Sequence, residues 1–130
     1  MTASPRTSRR RLLGAGVCVA AEAVVPRSAT AALDPALRLV DALDHRSSAE
    51  AVGRIVLESD PGATVPSLVA ELTLATGRSL DALMELDRDA LRVVLRDARE
   101  ADFRAVRIVR VDGWILARTE ARLAALAVLV

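Results

Sequence analysis

The chain contains no lysine and no tyrosine, and it has only one phenylalanine, one tryptophan, one histidine and one cysteine among its 130 residues. Each scarcity excludes a class of function. One Phe and one Trp make no aromatic platform on which single-stranded nucleic acid or sugars could stack. His45 alone cannot build a histidine-rich metal site. Cys18 is the only thiol, so residues 32–130 hold no disulfide, thiolate metal site or thiol nucleophile. No Gly-any-Ser-any-Gly elbow and no phosphate loop occurs. Glu85, Asp87 and Asp89 alternate like calcium ligands, but Ala90 stands where such a loop needs glycine and Arg96 where it needs a bidentate acid. A hydrolytic triad would have to gather Ser47, His45 and Asp41 or Asp44 from neighbouring helix ends. The expectation is a protein that is not an enzyme and that holds no metal or cofactor.

What is abundant is arginine, and it is concentrated at the start. Residues 1–11 carry Arg6, Arg9, Arg10 and Arg11 without an acid, and an unbroken apolar run follows from Leu12 to Ala21. Ten apolar residues rise roughly 15 Å as a helix, about half the hydrocarbon thickness of a bilayer. That is too short for a stable membrane span. Pro26 interrupts the segment, and the small residues Ala29 and Ala31 stand three and one positions before a cleavage site that would leave Ala32 as the new amino terminus. The sequence thus divides into a cleavable export signal, 1–31, and a single small domain, 32–130. Removing 1–31 takes away five arginines and Glu22, leaving thirteen arginines against sixteen acids. A formal charge of about −3 argues against a general nucleic-acid partner.

Ser8-Arg9-Arg10-Arg11-Leu12-Leu13-Gly14 resembles the twin-arginine translocation signal, with Leu12 in the place of its Phe and Gly14 in the place of its Lys. An arginine-rich signal for the general secretion route is the other reading. The resemblance rests on Ser8, Arg9, Arg10, Leu12 and Leu13. It implies engagement with the twin-arginine export machinery, transport of an already folded protein, and a periplasmic or secreted location. Such motifs are addresses read by a receptor and not physical anchors.

Across residues 32–130 the apolar residues recur mostly at helical spacing. Asp34-Pro35 reads as an N-cap with proline at the first helical position, opening a helix to about His45 with Leu37, Val40 and Leu43 inward. His45 then suits that helix's negative end. Ser47-Ser48-Ala49-Glu50 has capping-box spacing for a second helix that carries Val52, Ile55 and Val56 and ends near Asp60-Pro61-Gly62. Pro66 opens a third, with Leu68, Val69, Leu72 and Ala75 on one face and Gly77 closing it. Ser79 begins a short turn of helix. Asp87 or Asp89 caps a fifth element with Leu91, Val94, Leu95 and Ala98 inward, while Arg88, Arg92 and Arg96 line its other side as a solvated face or a docking strip for an acidic partner.

Asp112-Gly113 between Val106–Val111 and Trp114–Ala117 is a hairpin signal of the type I′ kind, which pairs Val111 with Trp114. Val109, Val111, Trp114 and Leu116 would share one face, and Val106, Ile108, Ile115 and Ala117 the other. With both faces apolar, neither is expected to stay wet. Thr119 is placed to cap a last helix. The fold class expected is therefore mainly α, a small helical domain with one short β-hairpin near the C-terminus and a final helix. The stretch Gly113–Leu123 resembles the ending of small exported bacterial proteins without a known activity.

Two functions fit. The first is a small exported accessory or escort subunit of a larger envelope enzyme, with a redox enzyme among the candidates, acting by protein–protein contact. The alternative is an independent periplasmic module that binds a small acidic ligand through surface arginines. For the first, Trp114 with Arg107 and Arg118 is the candidate contact, because a tryptophan offers a large apolar area with one N–H donor. The reading placed ahead of it is that Trp114 closes the core, because a small domain has few large side chains with which to fill its interior.

Overall fold

The computed structural model describes residues 27–130, with side chains from residue 31. The order is α1 (Arg27–Asp41), α2 (Arg46–Ser59), α3 (Val65–Thr76), α4 (Leu80–Met84), α5 (Arg88–Arg104), β1 (Ile108–Val111), β2 (Trp114–Ala117) and α6 (Arg118–Leu129). The fold is mainly helical, with a two-stranded antiparallel hairpin ahead of the final helix, as the sequence implies. Among the described residues no helix is long and apolar enough to cross a membrane. The export motif Ser8, Arg9, Arg10, Leu12 and Leu13 lies outside the described residues. Of the two alanines that precede the expected cleavage site, Ala29 lies within the helical backbone of α1 and Ala31 is exposed.

Local chemistry explains four of the helix ends. Thr64 and Ser67 form a reciprocal capping box at the start of α3, with the Thr64 N–H donating to Ser67 Oγ at 2.9 Å. Gly77 ends that helix at φ 67°, the left-handed conformation that glycine adopts without a Cβ clash. Ser79 accepts from the Ala82 N–H and Asp87 from the Ala90 N–H, so Asp87 is the cap of α5 and Asp89 lies in its first turn.

The first two helices depart from the sequence reading. Helix α1 continues upstream of Asp34, so Pro35 sits inside it, where a missing N–H and ring crowding ordinarily cost about 3 kcal/mol. The inward stripe explains why the helix persists: Ala32, Ala36, Leu39 and Val40 are all buried, a stripe that begins before the proline. Leu37, expected inside, is 36% exposed. The helix stops at Asp41, and His45 becomes the N-cap of α2 with no side-chain cap bond, so it sits at a positive helix end and not at a negative one. Ser47 and Ser48 lie within α2 and are exposed, and Glu50 pairs with Arg46 at 2.9 Å in place of a capping box.

Three helix ends are closed by arginines from elsewhere in the chain. Arg38 of α1 donates to the carbonyls of Met84 and Leu86 at 2.6 and 2.7 Å, closing α4. Arg88 of α5 donates to the Asp41 carbonyl at 2.7 Å, closing α1. Arg46 donates to the Val130 carbonyl at 2.6 Å, at the end of α6. A guanidinium both satisfies the orphan carbonyls of a last turn and complements its partial negative charge.

Helix α6 is the centre of the domain. Thr119, Ala121, Leu123, Ala124, Ala125, Leu126 and Ala127 are buried, so the helix is covered nearly all round, packed by α2, α3, α5 and α1. Its alanines permit close approach. The closest is at Gly53 of α2, where a Cβ would stand 2.0 Å from the Ala124 carbonyl oxygen. Leu39, Val40, Leu72, Leu83, Leu91 and Leu126 complete the core.

Candidate functional site

The hairpin forms as its turn dictates. Asp112 and Gly113 take φ values of 47° and 83°, and the register pairs Ile108 with Ala117, Val109 with Leu116, Arg110 with Ile115 and Val111 with Trp114. The expectation that both faces would be covered does not hold. Val111 is buried and Val109 and Leu116 are half-buried, so that face rests on the helices. On the other face Arg110, Ile115 and Val106 are exposed, and only Ala117, at the entry to α6, is fully buried. Among the described residues the two four-residue strands pack on α2, α5 and α6, and nothing covers Arg110, Ile115 and Val106.

Trp114 does not close the core. It is 75% exposed at the turn end of β2, and Ile115 next to it is 48% exposed. Arg107 and Arg118 meet at the opposite end of the hairpin, where the Arg118 N–H donates to the Arg107 carbonyl at 3.0 Å. Arg118 lies four residues beyond Trp114, roughly 13 Å of extended chain. The two arginines therefore flank the base of the hairpin and not the tryptophan; Arg110, opposite Ile115, is the cation nearer the tip.

The base is held by a buried acid that composition did not reveal. Asp102 of α5 is 2% exposed and accepts three hydrogen bonds, from the Thr119 N–H and the Thr119 hydroxyl, both at 2.6 Å, and from Arg107 Nε at 2.7 Å. Burial pushes this carboxyl up, but the two Thr119 donors and the Arg107 guanidinium outweigh that effect and hold it below the ordinary 3.8. Asp102 thus caps α6 from another helix. Thr119, expected to be the cap, lies one residue inside the helix start and donates instead, while the N-cap position belongs to Ala117, which has no side-chain acceptor. The signal was present in the spacing, because Leu91, Leu95, Ala98 and Asp102 form one inward stripe that puts an acid where an apolar residue belongs.

Beside the hairpin lies an open groove of about 640 Å³ between the start of α2, the outer side of α5, Leu116 of β2 and the first half of α6. Its floor is apolar, built by Leu43, Ala49, Val52, Leu95, Leu116 and Leu123. Its rim carries His45, Arg92, Arg96 and Arg99 together with Asp44, Asp89 and Glu120. The α5 arginines are therefore not one uniform strip. Arg88 faces the end of α1, Arg92 pairs with Asp44 at 2.6 Å and faces Asp89 at 3.7 Å, and Arg96 approaches only its neighbour Asp97 among the described residues, at 3.8 Å. Arg99 has no ion-pair partner among the described residues.

The weak constellations noted in the sequence do not assemble. Asp87 is spent on its cap and Asp89 faces Arg92. Ser47 is an exposed residue of α2, away from any hydrogen bond to His45 among the described residues. No group of three or more His, Cys, Asp or Glu among the described residues is placed to hold a metal ion. No protein-family model matches the chain, and no match was found among curated proteins or solved structures.

Proposed function

We propose that the protein is a small exported accessory subunit that works by protein–protein contact, presenting the hairpin of β1 and β2 to a larger envelope enzyme. One observation carries this reading: the only tryptophan of the chain stands 75% exposed at the end of a hairpin whose outer face is also uncovered. A lone large aromatic is costly to leave in water and is the side chain most enriched at binding hot spots. The hairpin is also a stiff support, since its turn has the φ values of type I′ and its base is tied to α5 and α6 through Asp102. Export before docking follows from the resemblance of Ser8 to Gly14 to a twin-arginine signal, whose route carries folded proteins and so suits a subunit whose contact surface is preformed.

The test is copurification from the envelope fraction of the native host. The wild-type chain should bring down a larger partner in constant ratio, and Trp114→Ala should lose it while keeping its thermal midpoint. A Trp114→Ala protein that still copurifies in full, or a wild-type chain that purifies alone as a monomer under mild extraction, sinks this reading.

A further inference from the structure

A second surface, separate from the hairpin tip, has the chemistry of a ligand site. We infer that the groove between α2, α5, β2 and α6 binds a small anionic amphiphile, a molecule with one apolar chain and one acidic head. Size, lining and charge each point this way. About 640 Å³ lies within the range of roughly 300–1,000 Å³ that small-molecule sites occupy. The floor of Leu43, Ala49, Val52, Leu95, Leu116 and Leu123 offers an apolar chain a continuous surface on three helices and a strand.

The charge of the rim selects the head group. Three acids and three arginines line the groove, but they are not equivalently occupied. Asp44 and Asp89 both face Arg92, at 2.6 and 3.7 Å, so that arginine's charge is met within the protein. Glu120 lies in the first turn of α6, where the positive end of the helix compensates it. Arg96 and Arg99 are left, one turn apart on α5 and both on the rim, with only the 3.8 Å approach of Asp97 to Arg96 between them and solvent among the described residues. Two guanidinium groups on one edge of an apolar trough suit a carboxylate, sulfate or phosphate head, which a guanidinium binds with paired charge-assisted hydrogen bonds. The opposite edge, at His45 and Ser48, is the start of α2, where no side chain caps the helix and the partial charge is again positive.

The experiment uses the full chain and three probes below their micelle concentrations: decanoate, decyltrimethylammonium with a similar tail and the opposite head, and acetate with the head alone. Titration calorimetry should show saturable one-to-one binding of decanoate, at least tenfold weaker binding of the cation, and none of acetate. NMR shift changes should map to Val52, Leu116 and Ala124. Arg96→Gln combined with Arg99→Gln should weaken decanoate about tenfold or more, the loss of one to two charge-assisted bonds. Val93→Glu should abolish it, since Val93 lines the groove, is 45% exposed and so tolerates a charge without unfolding. Equal binding of the two tails, decanoate affinity unchanged in the folded arginine variant, or no decanoate binding at all would each overturn the inference. The Trp114→Ala variant should bind decanoate like wild type, which separates this site from the docking surface.

Discussion

Replacing Gly53 with Ala reverses the sign that helix propensity alone would assign. In an exposed helix interior the change stabilises by about 1 kcal/mol, because alanine loses less backbone entropy and shields the helix hydrogen bonds. In this fold the new methyl would lie 2.0 Å from the Ala124 carbonyl oxygen, 2.5 Å from its carbon and 2.8 Å from Val128 Cγ2. Ordinary contact needs about 3.5 Å, so α2 and α6 would have to part by roughly 1 Å or more. Two of the three obstacles are backbone, which no rotamer change can move aside. Overpacking alone costs about 1–3 kcal/mol, and a gap of this size along the seam forfeits a quarter to a half of each contact there. Against a gain of about 1 kcal/mol from propensity, a net loss of about 3 kcal/mol is expected, a fall of roughly 10–20 °C in thermal midpoint for a domain of this length. Urea and thermal unfolding followed by circular dichroism would measure it. Gly62→Ala is the matched control. Its nearest obstacle is Asp60 Oδ1 at 3.8 Å, and it should gain about 0.4–1 kcal/mol. Val128→Ala should not rescue Gly53→Ala, since the tighter clash is with the backbone. A Gly53→Ala protein as stable as wild type would refute the close crossing of α2 and α6.

Asp102 makes stability depend on acid. Its carboxyl is lowered in the folded chain, so the unfolded chain binds more protons as pH falls from the ordinary 3.8 toward the lowered value; the contribution is complete above that range and is lost as pH falls through it. Asp102→Asn should flatten this segment of the midpoint-against-pH curve, and Asp102→Ala, which orphans both Thr119 donors, should cost about 3 kcal/mol by urea titration at neutral pH. Gly113→Val places a β-branched residue at φ 83° with open space around it, so the penalty is backbone strain of about 1–3 kcal/mol; a midpoint equal to wild type would dispose of the turn assignment. Trp114 fluorescence should be red-shifted and readily quenched in the isolated protein, and Trp114→Ala should cost under about 1 kcal/mol, as surface substitutions usually do. Changing Arg9 and Arg10 to Lys keeps charge but removes the guanidinium pair, so export of a fused reporter should fail; undiminished export would contradict twin-arginine transport.

The groove and the hairpin were legible to different degrees. Asp112-Gly113 announced the turn, its register and the place of Trp114, because a two-residue turn with both φ values positive is set by the residues that tolerate them. Its exposure was not legible, since Trp114 has the same composition whether it fills a core or faces water. The groove has no sequence signature: Leu43 from the α1–α2 connection and Val52, Leu116 and Leu123 from three separate elements read individually as core. Of its two available cations only Arg96 belongs to the four-residue spacing of Arg88, Arg92 and Arg96, a stripe that the structure breaks up by assigning Arg88 and Arg92 to the end of α1 and to Asp44.

What the sequence determined by itself was whatever a few adjacent residues decide: the opening of α3 at Pro66, its close at Gly77, an aspartate cap for α5 within Asp87–Asp89, and the hairpin. These rest on backbone angles and on hydrogen bonds within one turn, whose energies do not depend on the rest of the chain. The tertiary structure decided the rest. Pro35 is retained inside α1 because the buried stripe runs through it, Ala117 can start α6 without a side-chain cap because Asp102 arrives from α5, and Gly53 is needed because Ala124 lies across from it. In each case a locally unfavourable residue is tolerated for a contact made by a segment distant in sequence, and only the folded chain brings that segment near.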